Sequence, residues 1–180
     1  MVRVRGNLYA IFFDGISEEF SWYKFCINFF KLCLIPGARL EHCAIYLDCD
    51  GDFVAVYHTC KGRNSSWKCS KAFLRRFPPD AAVFLGKYDF DCEDLVKNIK
   101  PIRFNFISMI FWYTISRWFF SWKPKKNCTM QAIKILRYFD VKVDDHVVPV
   151  TLYKELKENA HHSHCWSSGS WQANLSETDR

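Results

Sequence analysis

His42-Cys43-Ala44-Ile45-Tyr46-Leu47-Asp48, then Cys49-Asp50-Gly51, then Asp52-Phe53-Val54-Ala55-Val56-Tyr57-His58 is the stretch on which the fold turns. Residues 42–48 and 53–59 are two apolar, β-forming runs around a group of turn formers. Such a pattern reads as a hairpin whose three-residue loop puts Gly51 in the left-handed position. If Asp48 pairs with Asp52, His42 falls directly opposite His58, and cross-strand partners share one face of a sheet. The reading therefore expects two imidazoles side by side on one hairpin.

Working upstream, Leu8 to Phe13 is a further strand-like run ended by Asp14-Gly15. Ser17, followed by Glu18 and Glu19, reads as the cap and acidic first turn of a helix through about Leu34, stopped by Pro36-Gly37. Downstream, Arg63 to Ser70 reads as a polar loop, Ala81 to Tyr88 as a strand, and Asp91 to Lys100 as a short helix stopped by Pro101. Asn127 is a good N-cap for a helix from Cys128 to about Phe139, with Met130, Ile133, Ile135 and Leu136 on its apolar stripe. Thr151 to Asn159 predicts a last helix. The expected organisation is one α+β domain over 1–159 followed by a flexible polar tail over 160–180.

The bulk numbers bound what such a domain does. With 180 residues, 49% of them apolar, the chain is long enough for one real core. A net charge of +6 is spread along the sequence, with tight runs only at Arg75-Arg76 and among Lys123, Lys125 and Lys126. No groove-reading or base-stacking motif accompanies them, so no specific nucleic-acid partner is expected. The nine cysteines are odd in number and irregularly spaced, and Met1-Val2-Arg3-Val4-Arg5 does not read as a signal peptide. A reducing compartment is expected, with most of Cys26, Cys33, Cys43, Cys49, Cys60, Cys69 and Cys92 acting as small buried hydrophobes.

Cys128 stands apart from these. At a helix N-terminus the free backbone N–H groups and the dipole favour a thiolate, and three lysines just upstream add to that field. His42 is placed to take the thiol proton, His58 to fix the tautomer of His42, and the Cys128 amide to donate to an oxyanion. A cysteine and two histidines are unremarkable on composition alone; a cysteine just after an N-cap and two histidines facing across a hairpin are separate coincidences.

These residues carry a resemblance. The segment His42-Cys43-Ala44-Ile45-Tyr46-Leu47, then Val56-Tyr57-His58, and much later Asn127-Cys128 opening a helix, resembles circularly permuted NlpC-type papain-fold proteins. The pattern includes the lecithin:retinol acyltransferase-like branch and its viral relatives marked by an H-box and an Asn-Cys pair. Pro149-Val150-Thr151-Leu152-Tyr153-Lys154-Glu155-Leu156 resembles the ending of small phage members, so the likeness spans residues 7 to 158. It implies a permuted papain-like fold in which Cys128 is the nucleophile, His42 the base and His58 its orienter. The chemistry implied is acyl transfer through a thioester without a cofactor, on a peptide, isopeptide, peptidoglycan or lipid substrate. Where the acyltransferase branch often continues with Glu-His, this chain has Thr129-Met130, which favours an amide over a lipid. A host cytoplasm or virion setting is implied, and a non-catalytic interaction module that keeps the fold is the contrasting expectation.

The aromatic stretch from Phe104 to Trp122 approaches the length of a bilayer span. Asn105, Ser108, Thr114, Ser116, Arg117 and Ser121 interrupt it, so a helix packed on the sheet is expected, with membrane-surface contact as the alternative. In the resemblance this region borders the cleft, which makes Trp112 and Trp118, together with Tyr46, the expected substrate contacts. No metal site is expected. His161, His162, His164 and Cys165 lack paired Cys-x-x-Cys spacing, and Asp48, Asp50 and Asp52 read as turn formers rather than calcium ligands.

Overall fold

The structure is a computed structural model of the chain, and it describes residues 3–13, 42–49, 54–58, 66–69, 74, 78–99, 127–146, 148–159 and 165–167. These residues form a mixed α+β arrangement. Six strands make one antiparallel sheet: β1 (Arg3–Phe13), β2 (His42–Cys49), β3 (Val54–His58), β4 (Ser66–Cys69), β5 (Ala81–Asp91) and β6 (Cys165–Ser167). Their spatial order is β4-β3-β2-β1-β5-β6. The described helices are α1 (Cys92–Asn98), α2 (Cys128–Tyr138) and α3 (Pro149–Asn159).

Alternation along β1 sorts the core into two layers. Leu8, Ala10 and Phe12 join Cys43, Ile45 and Leu47 of β2 on the face that receives Ala132, Ile133, Ile135 and Leu136 of α2 and Leu152 and Leu156 of α3. Ile11 and Phe13 point the other way, into a smaller cluster with Ala44, Tyr46, Leu74 and Ala82. A strand apolar on both faces belongs at the centre of a sheet, and β1 lies there, between β2 and β5.

Between β1 and β5 the register shifts at Leu8/Tyr9, where Leu8 opposes Gly86 and Tyr9 opposes Phe84, leaving Leu85 as an inserted residue. Gly86 sits there at φ 129°, a conformation that a side chain would strain. The Tyr88 hydroxyl donates to the Leu85 carbonyl at 3.4 Å across the insertion.

The hairpin differs from the sequence expectation in its register. Asp48 pairs with Val54, not Asp52, and the ladder continues through Leu47–Ala55, Tyr46–Val56 and Ile45–Tyr57. The expected register would have set two carboxylates directly opposite each other, which is unfavourable. A shift of two residues avoids that pairing and, being one full period of the pleat, leaves the parity of the ladder unchanged. Its cost is the predicted His42–His58 opposition: carried one step further, the observed ladder sets His58 across from Ala44.

Other elements fall close to their expected positions, with three differences. Strands β1 and β5 are longer than their apolar cores suggested, because Arg3–Asp91, Arg5–Asp89 and Asn7–Lys87 extend the ladder with polar pairs. Ser66–Cys69, within the expected polar loop, forms β4 against β3, with Tyr57 opposite Trp67. Cys165–Ser167, within the expected polar tail, forms β6 and pairs with β5 over Ala81, Ala82 and Val83. The helix expected over 17–34, the hairpin loop, and the aromatic stretch 104–122 with Trp112 and Trp118 lie outside the described residues.

Candidate functional site

The site is built where the N-terminus of α2 meets the start of β2. Asn127 is extended, with φ −141° and ψ 174°, and its side-chain oxygen accepts from the Met130 amide at 2.8 Å. Its backbone carbonyl accepts from the Gln131 amide at 3.1 Å. These two bonds use the amides of Met130 and Gln131, leaving those of Cys128 and Thr129 as first-turn donors outside the helical ladder. Asn127 is 1% exposed, so the cap is part of the packed structure. The helix then locks onto the sheet through Ala132, Ile133, Ile135 and Leu136. At its far end, Asp140 at φ 57° and the bond from the Val141 amide to the Leu136 carbonyl close the last turn.

Cys128 is half-buried against the core cluster that contains Cys43. Its ionisation is governed by two successive residues of β2, Cys43 and His42. Successive strand residues point to opposite faces, so one sulfur reaches both only at the end of the strand. There the hydrogen bond from Cys43 and the positive field of His42 hold the Cys128 thiol well below its usual range, against the opposing effect of burial. The Cys43 thiol is held well above its usual range, first by burial and then by its bond to Cys128. The pair is thus poised as a thiolate at Cys128 stabilised by a thiol donor at Cys43. The Cys43 sulfur also lies 4.0 Å from the hydroxyl of Thr129, which is fully buried.

The residues singled out from the sequence fall out unevenly. Cys128 and His42, separated by nearly half of the chain, are brought near enough to interact electrostatically. His42 also packs on Phe13, its β1 partner, with ring centroids 6.1 Å apart. His58 lies on β3 opposite Ser66 and does not stand across from His42. Tyr46, expected on the substrate wall, is instead 2% exposed, in the cluster on the face turned away from α2, with its ring 5.5 Å from that of Tyr9. Even positions of β2 place Tyr46 there together with Ala44, so it serves packing. Burial, with the Asp48 charge second, raises its phenol well above the usual range.

Cys43 was expected only as a buried hydrophobe, which understates it. Its position next to His42 at the head of a strand was the available signal. Gln131, one turn after Cys128, was not singled out either, yet it is 2% exposed and neither atom of its amide has a hydrogen-bond partner among the described residues. Among the described residues no group of metal-ligating side chains is assembled, and no helix is long and apolar enough to cross a membrane. A cleft of about 550 Å³ lies at the opposite end of α2, between Arg137, Lys142, Asp144 and Glu155, and takes in none of the candidate residues. No protein-family model, no curated protein and no solved structure matches the chain.

Proposed function

We propose that the chain is a thiol hydrolase with a circularly permuted papain-like arrangement, acting on an amide such as a peptide, isopeptide or peptidoglycan crosslink. The observation that carries this reading is the meeting of Cys128, at a capped helix N-terminus, with the His42 imidazole. A thiol held below its usual range is a competent nucleophile, and an adjacent imidazole can carry the proton its leaving group needs.

In the proposed cycle the Cys128 thiolate adds to the substrate carbonyl. The backbone amides of Cys128 and Thr129 receive the developing oxyanion. His42 gives its proton to the departing amine, leaving a thioester on Cys128. Neutral His42 then takes a proton from water, which attacks the thioester carbonyl and releases the acid and the thiolate. The chain order, histidine strand before cysteine helix, is the permuted order.

The test is a cysteine-directed activity probe together with a panel of peptide-amide, muropeptide and phospholipid substrates. The expected result is labelling of wild type but not Cys128→Ala, with turnover of an amide substrate that falls by two or more orders of magnitude in His42→Ala, on the scale of a lost general base. Turnover of phospholipid alone would move the assignment to a lipid acylhydrolase. Absence of labelling and turnover in folded protein would leave the fold as an interaction module.

A further inference from the structure

The hydrolase cycle gives Cys43 no covalent part, yet its thiol packs beside the helix turn that carries the nucleophile. Cys43 arrives from β2 and Cys128 from the first turn of α2, residues distant in sequence that pack in one cluster, and the Cys43 sulfur lies 4.0 Å from the hydroxyl of Thr129, the residue next to Cys128. Both are thiols in the structure. Cys128 is the partly exposed member and Cys43 is 1% exposed. A reagent from solvent therefore meets Cys128 first, and whatever forms on that sulfur faces a second thiol.

We propose that Cys43 and Cys128 form a reversible disulfide under hydroperoxide, a modification site that switches the nucleophile off and shields it from irreversible oxidation. The Cys128 thiolate attacks the terminal oxygen of the peroxide, giving a sulfenic acid and releasing the water or alcohol leaving group. The Cys43 sulfur, losing its proton, then attacks the Cys128 sulfur and expels hydroxide, which takes up that proton to become a second water. Two thiols and one peroxide give one disulfide, the peroxide being the sole oxidant. Closing the bond draws the sulfurs to about 2 Å. A dithiol reductant reverses it. The switch rests on the packing of Cys43 against the first turn of α2 and not on the proposed amide substrate.

Wild-type protein is treated with one equivalent of hydrogen peroxide, blocked with an alkylating agent and digested without reduction. The expected result is a Cys43–Cys128 cross-linked peptide lighter by two hydrogens, abolished by dithiothreitol. In Cys43→Ser, Cys128 should be trapped as sulfenic acid by dimedone and pass to sulfinic acid at least ~10-fold faster than in wild type. The wild-type mapping stands alone if that variant fails to fold. A cross-link between other cysteines, or Cys128 sulfinic acid accumulating in wild type with Cys43 still alkylatable, overturns the proposal. Neither readout requires turnover, so a failed hydrolase assignment leaves the switch standing, and a missing cross-link leaves the hydrolase standing.

Discussion

Asn127→Ala is the sharpest test of how the site is held. The substitution removes the side-chain acceptor of the Met130 amide, a 2.8 Å bond, from a residue that is 1% exposed. Loss of an N-cap costs about 1 kcal/mol, and leaving a part-buried amide without its acceptor pushes the cost toward ~2 kcal/mol. At about 2–4 °C per kcal/mol for a chain of this size, the melting temperature should fall by roughly 2–8 °C. Asn127→Ser keeps an oxygen at the cap and should stay within about 2 °C of wild type. Thermal denaturation followed by circular dichroism reads the loss. Alkylation of Cys128, timed at neutral pH, reads the consequence for the site, because a frayed first turn no longer aims its amides at the sulfur. If Asn127→Ala melts within about 1 °C of wild type and Cys128 alkylates at an unchanged rate, the cap neither stabilises the helix nor prepares the thiol.

Three other outcomes follow from the same geometry. Because its pKa is depressed, Cys128 keeps its thiolate above and well below the ordinary thiol value and loses it only as pH falls through the lowered one. Its alkylation rate should therefore persist into neutral pH, and His42→Ala should move the midpoint upward; an unmoved midpoint removes His42 from the site. Gly86→Ala forces a side chain onto φ 129° and should cost about 1–3 kcal/mol in urea denaturation, whereas a neutral effect would mean that the insertion in β5 relaxes freely. Deleting residues 160–180 removes β6 from the edge of β5, and at about 1 kcal/mol for so short a ladder the melting temperature should fall by about 2–4 °C. No change on deletion would mean that the β6 pairing contributes nothing.

Much of the architecture was legible because its signals are local. The Asn127 cap, the stripe Ile133, Ile135 and Leu136, the acidic start of α1 after Asp91 and the β1, β2 and β5 runs all announce themselves within a few residues. What was not legible depends on partners far away in the chain. The register of the hairpin is set by which side chains meet across it, and pairing Asp48 with Val54 keeps it from facing the Asp52 carboxylate. Strands β4 and β6 are four and three residues long, too short to show a period, and exist because a neighbouring edge is there to receive them. Tyr46, expected as a substrate contact on the strength of the resemblance, takes its buried position from parity along β2. The role of Cys43 was hidden because composition treats a buried cysteine as a hydrophobe, while its chemistry depends on a sulfur contributed by another element.

The order of the strands has a bearing on how the protein is made. Strand β5 is joined to β1 on one side, and its other side is closed over Ala81, Ala82 and Val83 by β6, the last of the described strands in sequence. During synthesis, the other described strands and all three described helices leave the ribosome before Cys165–Ser167 does. Until then the nascent sheet carries an open, apolar edge able to recruit a strand from a neighbouring nascent chain. Chains stalled or clipped before Cys165 should accordingly be the ones that aggregate or call on chaperones, even though they already contain both His42 and Cys128.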